Sequence, residues 1–339
     1  MMRKWLLSIV IVTCFLLTSW TSVSANTLQE ELKVGENAYI DVSVATLWTE
    51  PGITRPVDEP SITNPVDMWK WTTSMTYDEK LWLVGNLETQ GLLGTEVTIL
   101  EKQGDWVKVA VHGQPTPREE AGYPGWMPAN QLTKNEQFEK FLEKRPFAHI
   151  SSPTALLYDD PNFEQAFMEI SISTRLPVIA ETKNAVKVAT PSDGQKWLKK
   201  EDVQVYHSVK DIPKPTADDL LDTAYQFLGL PYLWAGTSGF GFDCSGFTHT
   251  IYKVHGITIP RDSSVQAVQG TPVAEEDLQP GDLIFFAYDE GKGRVHHVGM
   301  YIGGGKMIHS PNTASTVRID NYRAPGYGEE YAGARRYLE

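Results

Sequence analysis

One cysteine and two histidines have the residue types and the spacing of a nucleophile with its base. Cys244 lies in the segment Phe242–Phe247, after a glycine-rich loop and at the start of a run with helical periodicity. At a helix start, unpaired N–H groups and the helix dipole favour the thiolate and offer a donor to an oxyanion. His297 and His309 fall on two predicted strands joined by a glycine turn. One imidazole could take the thiol proton while the other orients it.

Each of these side chains also has a simpler interpretation. Cys244 could be a small buried hydrophobe, and a cysteine with two histidines is also a ligand set for zinc. In a strand, His296 would face away from His297, so at most one of the two belongs in the site. His249 and His255 are interpreted as solvated residues of the cysteine helix. The position of Cys244 at a helix start favours the nucleophile.

Four ordered segments resemble the signature blocks of the NlpC family of papain-like bacterial cell-wall cysteine peptidases. They are Asp243–Phe247, Pro280–Leu283, His297–Gly303 and His309-Ser310. The resemblance implies that Cys244 is the nucleophile, His297 the base and His309 the residue that orients the base. It also places Tyr232 near the oxyanion. The implied chemistry uses no metal and no cofactor.

The same resemblance implies a substrate, a peptidoglycan stem peptide that is cut between γ-D-glutamyl and the following diamino acid. The implied substrate-binding residues are Glu88, Tyr123, Trp234, Asp243, Ser245 and Ser263, together with Arg261. The serines and Arg261 would bind the free carboxylate of the D-glutamyl residue, and Trp234 would line the pocket. Asp243 would meet a substrate amine; alternatively it only holds the loop, and the serines only cap helices.

Two segments that precede the cysteine domain repeat one another. Leu47–Pro51 parallels Leu157–Pro161, and the strand pairs that follow keep the same spacing of ten residues. Each copy is a run of short alternating strands between turns, as in a small barrel, and resembles a bacterial SH3-like module. The first copy holds a predicted two-helix insert, one helix capped by Asn64 and the other by Thr76. The expected fold class is therefore two small all-β SH3-like barrels followed by an α+β papain-like domain.

The expected domain bounds are 30–135 and 148–206 for the modules, 207–215 for a linker and 216–339 for the peptidase. The chain also resembles a subgroup of this family in which the first module closes one end of the substrate groove. Glu88 and Tyr123 would then hold the free amine of an N-terminal L-alanine, with Asp243 opposite, and the product would be L-Ala-γ-D-Glu.

The first 25 residues have the pattern of a secretory signal. Arg3 and Lys4 precede an apolar core, and Val23-Ser24-Ala25 is a small-residue cleavage site. A retained membrane anchor is the alternative, but the apolar core is shorter than the ~20 residues that a spanning helix needs. The sequence therefore predicts a secreted or wall-associated protein with no membrane partner after signal removal.

The formal charge is −13 for the whole chain and becomes −15 without the two signal cations. Such an acidic protein is not expected to bind nucleic acid or anionic wall polymers through its overall charge. The rival functions are an amidase or transpeptidase on the same fold and a non-catalytic wall-binding protein. The apparently complete set of one cysteine and two histidines favours the peptidase.

Overall fold

Two modules of seven strands precede a mixed α+β domain in the computed structural model, which describes residues 32–338. The predicted signal lies outside the described residues. The first module contains β1 (Asn37–Ile40), β2 (Val44–Trp48), β3 (Leu87–Leu92), β4 (Glu96–Gln103), β5 (Trp106–Val111), β6 (Tyr123–Pro128) and β7 (Leu132–Thr133). The second contains β8 (Phe147–Ile150), β9 (Thr154–Tyr158), β10 (Ala166–Ser171), β11 (Arg175–Glu181), β12 (Ala185–Ala189), β13 (Gln195–Lys199) and β14 (Val203–Tyr206).

The strand order shows that the two modules share one topology. The first sheet runs β3-β2-β6-β5-β4-β1-β7, and the second runs β10-β9-β13-β12-β11-β8-β14. Each strand of the second module therefore occupies the place of the strand seven positions earlier. The predicted repeat of two small β modules is confirmed.

The insert between β2 and β3 contains three short helices, so the prediction of two was wrong. They are α1 (Glu59–Ile62), α2 (Met68–Ser74) and α3 (Tyr77–Trp82). The predicted start of α2 was also wrong: Asp67, not Asn64, caps this helix by accepting from the Lys70 N–H at 2.9 Å. Asn64 and Asp67 are both good caps, and their spacing alone does not decide between them. The capping box at Thr76 is confirmed.

Helix α4 (Glu136–Lys144) joins the modules, and α5 (Ala217–Tyr225) opens the α+β domain. The remaining elements are β15 (Thr237–Ser238), β16 (Gly241–Phe242), α6 (Cys244–Val254), α7 (Ser263–Gln266), β17 (Thr271–Val273), β18 (Leu283–Ala287), α8 (Tyr288–Gly291), β19 (Val295–Gly303), β20 (Lys306–His309), β21 (Arg318–Asn321), α9 (Tyr327–Glu330) and β22 (Tyr331–Arg336). The last six strands form one antiparallel sheet in the order β17-β22-β18-β19-β20-β21. Helices followed by an antiparallel sheet make the α+β class, as predicted.

Helix α6 is buried on nearly every side, and Lys253 is its one residue that is not classed as buried. Phe247 and Ile251 pack with Val298 of β19 in one apolar cluster. His249 is 1% exposed, and its Nδ1 bonds to the Ile259 carbonyl at 2.8 Å. The interpretation of His249 as a solvated residue was wrong, because the modules cover the face that an isolated helix would leave in water.

Both modules pack directly on the α+β domain. Trp48 and Trp71 of the first module share an apolar cluster with Leu233 and Phe240. Gln90 on β3 accepts from the Thr237 N–H at 3.0 Å. From the second module, the buried His149 bonds to the carbonyl of Val254 at the end of α6, with 3.0 Å between Nε2 and oxygen. The helix that begins with the cysteine is thus fixed from two sides. Within residues 32–338, no helix has the length and apolarity to cross a membrane.

Candidate active site

A cavity of about 940 Å³ lies between the first module and the α+β domain. It brings together almost every site residue predicted from the sequence. The predicted residues that line it are Glu88, Tyr123, Tyr232, Trp234, Asp243, Cys244, Ser245, Arg261, Ser263 and His297. His309 is the exception, and it lies behind His297 in hydrogen-bond contact with it.

Cys244 is the first residue of α6 and is 8% exposed. The side chain of Asp243 caps this helix by accepting from the Gly246 N–H at 2.6 Å. Burial, and then the charge of Asp243, raise the pKa of the Cys244 thiol to about 12, although the backbone of Val298 and the charge of Arg261 lower it. Burial thus outweighs the thiolate stabilisation expected from the helix start.

The two imidazoles form one hydrogen-bonded chain with a carboxylate. His297 Nε2 lies 2.7 Å from His309 Nδ1, and His309 Nε2 lies 3.0 Å from Asp320 Oδ2. The Arg318 guanidinium donates to the same carboxylate oxygen at 2.7 Å. Burial lowers the pKa of His297 well below its usual 6.5 and that of His309 to about 4. Both rings are therefore neutral near pH 7, and His297 is available as a base.

Sequence reasoning missed Asp320, the third group of this chain. Asp320 lies on β21, which covers Arg318–Asn321 and follows the strand of His309. In the observed register His309 pairs with Arg318 and Met307 with Asp320, so Asp320 reaches His309 diagonally on one face of the sheet. The alternation of charged residues at 318 and 320 was the available signal, but only the register assigns them to the face of His309.

The adjacent His296 does not follow the simple alternation assumed from the sequence. The β18–β19 register shifts between Phe286 and Ala287, so that His296 lies in a bulge. Its ring lines the outer part of the cavity, and its Nε2 lies 3.1 Å from Glu330 Oε2. His297, not His296, forms the hydrogen bond to His309.

Arg261 and Asp243 form a buried ion pair beside the thiol. Arg261 is 1% exposed and binds both oxygens of Asp243, at 3.1 and 2.7 Å. The guanidinium also donates to Ser245 Oγ at 3.0 Å and to Thr89 Oγ1 of the first module at 3.0 Å. Arg261 thus connects helix α6 with the first module, through four hydrogen bonds to protein groups.

Glu88 and Tyr123 close the end of the cavity on the first module. Both oxygens of Glu88 accept from Arg118, at 2.5 and 2.8 Å, and Arg118 also lies 3.2 Å from the Tyr123 hydroxyl. The Tyr123 hydroxyl donates across the interface to Asp262 at 3.0 Å. Arg118 and Asp262 are two site residues that sequence reasoning did not select, because neither belongs to a family block.

The remaining predicted residues also face this cavity. Burial raises the pKa of Tyr232 well above its usual 10, so its hydroxyl stays protonated and can donate to an oxyanion. The indole N–H of Trp234 donates to the Leu87 carbonyl of the first module at 3.2 Å, which fixes the ring as a wall. Ser263 starts α7 at the cavity edge.

The arrangement defines a class of protein. Between residues 32 and 338, no group of three His, Cys, Asp or Glu side chains is placed to hold a metal ion. A buried thiol at a helix start, a neutral imidazole in the same cavity and a donor for an oxyanion are the parts of a thiol-dependent acyl-transfer enzyme. The α+β domain with these parts is a papain-like cysteine hydrolase.

Known proteins agree with this class. Residues 229–336 match the NlpC/P60 family, residues 150–206 match the YKFC SH3b2 domain, and residues 85–132 match the bacterial dipeptidyl-peptidase Sh3 domain. A gamma-D-glutamyl-L-lysine dipeptidyl-peptidase of Bacillus cereus is 58% identical over 328 residues, which cover 96% of this chain and 97% of that protein. The chain therefore belongs to the NlpC/P60 family of cysteine peptidases.

A second relative and a solved structure also share most of the chain. A gamma-D-glutamyl-L-lysine dipeptidyl-peptidase of Bacillus subtilis is 42% identical over 296 residues, which cover 87% of this chain and 96% of that protein. The crystal structure of an NlpC/P60 family protein from Bacillus cereus superposes with a TM-score of 0.87 at 60% identity. That match covers 90% of this chain and 100% of the other. The similarity thus includes both modules as well as the peptidase domain.

Proposed function

We propose that this protein hydrolyses the bond between γ-D-glutamyl and an L-diamino acid in peptidoglycan stem peptides that have a free N-terminal L-alanine. The product on the amino side is the dipeptide L-Ala-γ-D-Glu. The observation that carries the proposal is the shared cavity, which is lined by Cys244 and His297 of the α+β domain and by Glu88 of the first module. The names of the two Bacillus relatives support the choice of bond.

In the proposed reaction, the Cys244 thiol transfers its proton to the free ring nitrogen of His297 during the attack on the substrate. Sulfur attacks the γ-glutamyl carbonyl, and the oxyanion accepts from the Cys244 N–H and the Tyr232 hydroxyl. The imidazolium then protonates the leaving amine, and the acyl-enzyme forms. Water, deprotonated by His297, hydrolyses the thioester and restores the thiol.

The charges at the closed end support recognition of a substrate ammonium. Three carboxylates, those of Glu88, Asp243 and Asp262, face two guanidinium groups, those of Arg118 and Arg261. One negative charge is thus left over for a bound cation. The side chain of Arg118 is 44% exposed whereas that of Arg261 is 1% exposed, so Arg118 is the one that can leave. The substrate amine takes its place on Glu88.

The proposal extends to the setting of the enzyme and to its division into domains. Residues 1–25 act as an export signal, and the mature protein is secreted or associated with the cell wall. Similarity to peptidoglycan hydrolases, including murein DD-endopeptidase MepH of Escherichia coli, supports a wall-derived substrate. The bounds 30–135, 148–206 and 216–339 separate the two modules from the peptidase.

The test compares two substrates by mass spectrometry: L-Ala-γ-D-Glu-L-Lys and its N-acetylated form. Wild type should release L-Ala-γ-D-Glu and lysine from the first and leave the second nearly intact, because the acetyl group removes the ammonium that the partly buried Glu88 carboxylate would bind. Glu88→Gln should raise KM for the free peptide, whereas the exposed Glu101→Gln should not.

Two results would count against the proposal. If wild type cleaves neither peptide, the bond assignment is wrong. If it cleaves the free and the acetylated peptide equally well, the first module does not recognise the substrate amine, and that part of the proposal is wrong. Cys244→Ala should be inactive with either substrate.

A further inference from the structure

The hydrogen-bond chain behind the nucleophile ends on a carboxylate, and this determines where each proton resides. A carboxylate can only accept, so the ring nitrogen of His309 that lies 3.0 Å from Asp320 Oδ2 must carry the hydrogen. A neutral imidazole has one N–H, so His309 Nδ1 is the acceptor. His297 Nε2, 2.7 Å away, must then be the donor. His297 Nδ1 is left with its lone pair, which is the basic site that faces the chemistry.

We propose that Asp320 is a positioning residue of the peptidase: through His309 it holds His297 in the tautomer whose free nitrogen can accept the Cys244 proton. Asp320 does not line the cavity. It acts two hydrogen bonds away from the base. The inference rests on the proposed reaction, in which His297 is the proton acceptor.

The surroundings of the chain fit this role. His309 is fully buried, so Asp320 is its partner on one side and His297 its partner on the other. Arg318 donates to the same oxygen of Asp320 at 2.7 Å. Burial raises the pKa of this carboxyl, but the hydrogen bonds from His309 and then Arg318 lower it below its usual 3.8. The Tyr327 ring lies against both imidazoles, with centroids 6.1 Å from His297 and 5.4 Å from His309. Arg318 is also the strand partner of His309, and its charge contributes to the lowered pKa of that ring, after burial.

Without the carboxylate, the opposite proton order becomes possible. His309 Nδ1 would donate to His297 Nε2, and His297 Nδ1 would then carry a hydrogen and could not take the thiol proton. An amide in place of a triad carboxylate acts in this way in serine proteases, at a cost of about 10⁴ in kcat. Asp320 is one imidazole further from the reaction, so the expected loss corresponds to one charge-assisted hydrogen bond, about 10- to 100-fold.

The experiment measures kcat, KM and the ring-nitrogen tautomers of ¹⁵N-histidine-labelled protein by NMR. In wild type, both His297 and His309 should carry hydrogen on Nε2. Asp320→Asn should lower kcat about 10- to 100-fold at unchanged KM and shift both hydrogens to Nδ1. Asp320→Glu should recover part of kcat. Arg318→Gln removes the neighbouring ion pair but leaves the acceptor, so its kcat should stay within a few-fold of wild type.

The outcomes separate this inference from the proposed function. If the wild-type protein cleaves no γ-glutamyl peptide, the proposed function is wrong. The tautomer measurement then still tests the proposed hydrogen-bond chain. Hydrogen on Nδ1 of His309 in wild type overturns the inference even if no variant folds. An active Asp320→Asn enzyme with wild-type kcat also overturns it. Equal losses in Asp320→Asn and Arg318→Gln, with tautomers unchanged, assign Asp320 a purely structural role.

Discussion

At the scale of single residues, Cys244 is a neutral thiol in the free enzyme. Burial raises the pKa of Cys244 to about 12 and lowers that of His297 well below 6.5, so each shift opposes a thiolate and imidazolium pair. The proton therefore moves during attack on the substrate carbonyl. Catalysis therefore depends on the lone pair of His297, which must accept the thiol proton, and on the groups that orient this ring.

The first prediction concerns the reactivity of Cys244 towards iodoacetamide. Only the thiolate reacts, and a pKa raised to about 12 leaves very little of it at pH 7. Alkylation of the free enzyme should be slower than that of glutathione, and its rate should rise with pH between 7 and 9. A fast rate that is constant over this range would instead indicate a preformed thiolate and imidazolium pair.

The second prediction concerns Arg118, whose guanidinium occupies both oxygens of Glu88. Arg118→Met removes this competitor for the substrate amine and leaves Tyr123 bonded to Asp262. Because a half-exposed ion pair is worth about 0 to 1 kcal/mol, KM for the free tripeptide should fall by up to about five-fold. Cleavage of the N-acetylated peptide should not improve. A raised KM would mean that Arg118 holds the subsite together.

At the scale of elements, the start of α6 depends on one buried ion pair. Asp243 caps the helix through the Gly246 N–H, and Arg261 neutralises Asp243 while it also bonds to Thr89 of the first module. The helix, the loop of Arg261 and strand β3 are therefore fixed relative to one another. Cys244 takes its position from this assembly and from β19, against which α6 packs.

The third prediction tests this pair. Arg261→Met leaves the Asp243 carboxylate buried without its cation, and loss of one partner of such a pair costs about 3 to 5 kcal/mol. Urea unfolding should show this loss of stability, and kcat should fall because the helix start shifts. Adding Asp243→Asn removes the stranded charge, so the double variant should regain stability but not activity. Unchanged stability of Arg261→Met would show that solvent reaches Asp243.

At the scale of the whole molecule, both modules pack against the α+β domain. The first module completes the cavity and shares an apolar cluster with the α+β domain, while the second contacts the far end of α6 through His149. His149 Nδ1 accepts from Arg175 Nε at 3.1 Å, so its Nε2–H donates to the Val254 carbonyl. The neutral ring has a partner for both nitrogens, and a second proton would have to point at Arg175.

The fourth prediction is a loss of stability in acid that depends on His149. Burial, then Arg175, Lys253 and His255, lower the pKa of His149 from 6.5 to about 3, against an opposing bond to Val254. Above pH 6.5 the ring is neutral in both the folded and the unfolded state. As the pH falls from 6.5 towards 3, only the unfolded state binds the proton, so folding loses about 1.4 kcal/mol per pH unit.

Urea unfolding at pH 7.5 and pH 5 measures this effect. His149→Gln should reduce the difference in unfolding free energy between the two pH values by about 2 kcal/mol. His207→Gln, at an exposed position, is the control and should leave the difference unchanged. A pH dependence of His149→Gln equal to that of wild type would show that protonation of other groups governs acid unfolding.

Local sequence determined the parts of this protein whose signals are short-range. The helix start at Cys244, the capping box at Thr76 and the repeated strand pattern of the modules depend on neighbouring residues, and each was predicted. Blocks around Cys244, His297 and His309 were sufficient to predict the α+β fold and the chemistry. The three residues lie together because helix α6 and strands β19 and β20 pack as the predicted elements require.

Only the tertiary structure decided the rest, because it depends on contacts between distant segments. The register of β20 and β21 placed Asp320 on His309, and the bulge in β19 moved His296 to the cavity edge. Packing of the modules buried His249, and burial of Cys244 raised its pKa, whereas the helix start alone predicted the opposite shift. Burial and strand register depend on contacts throughout the fold, so a short sequence motif does not determine either of them.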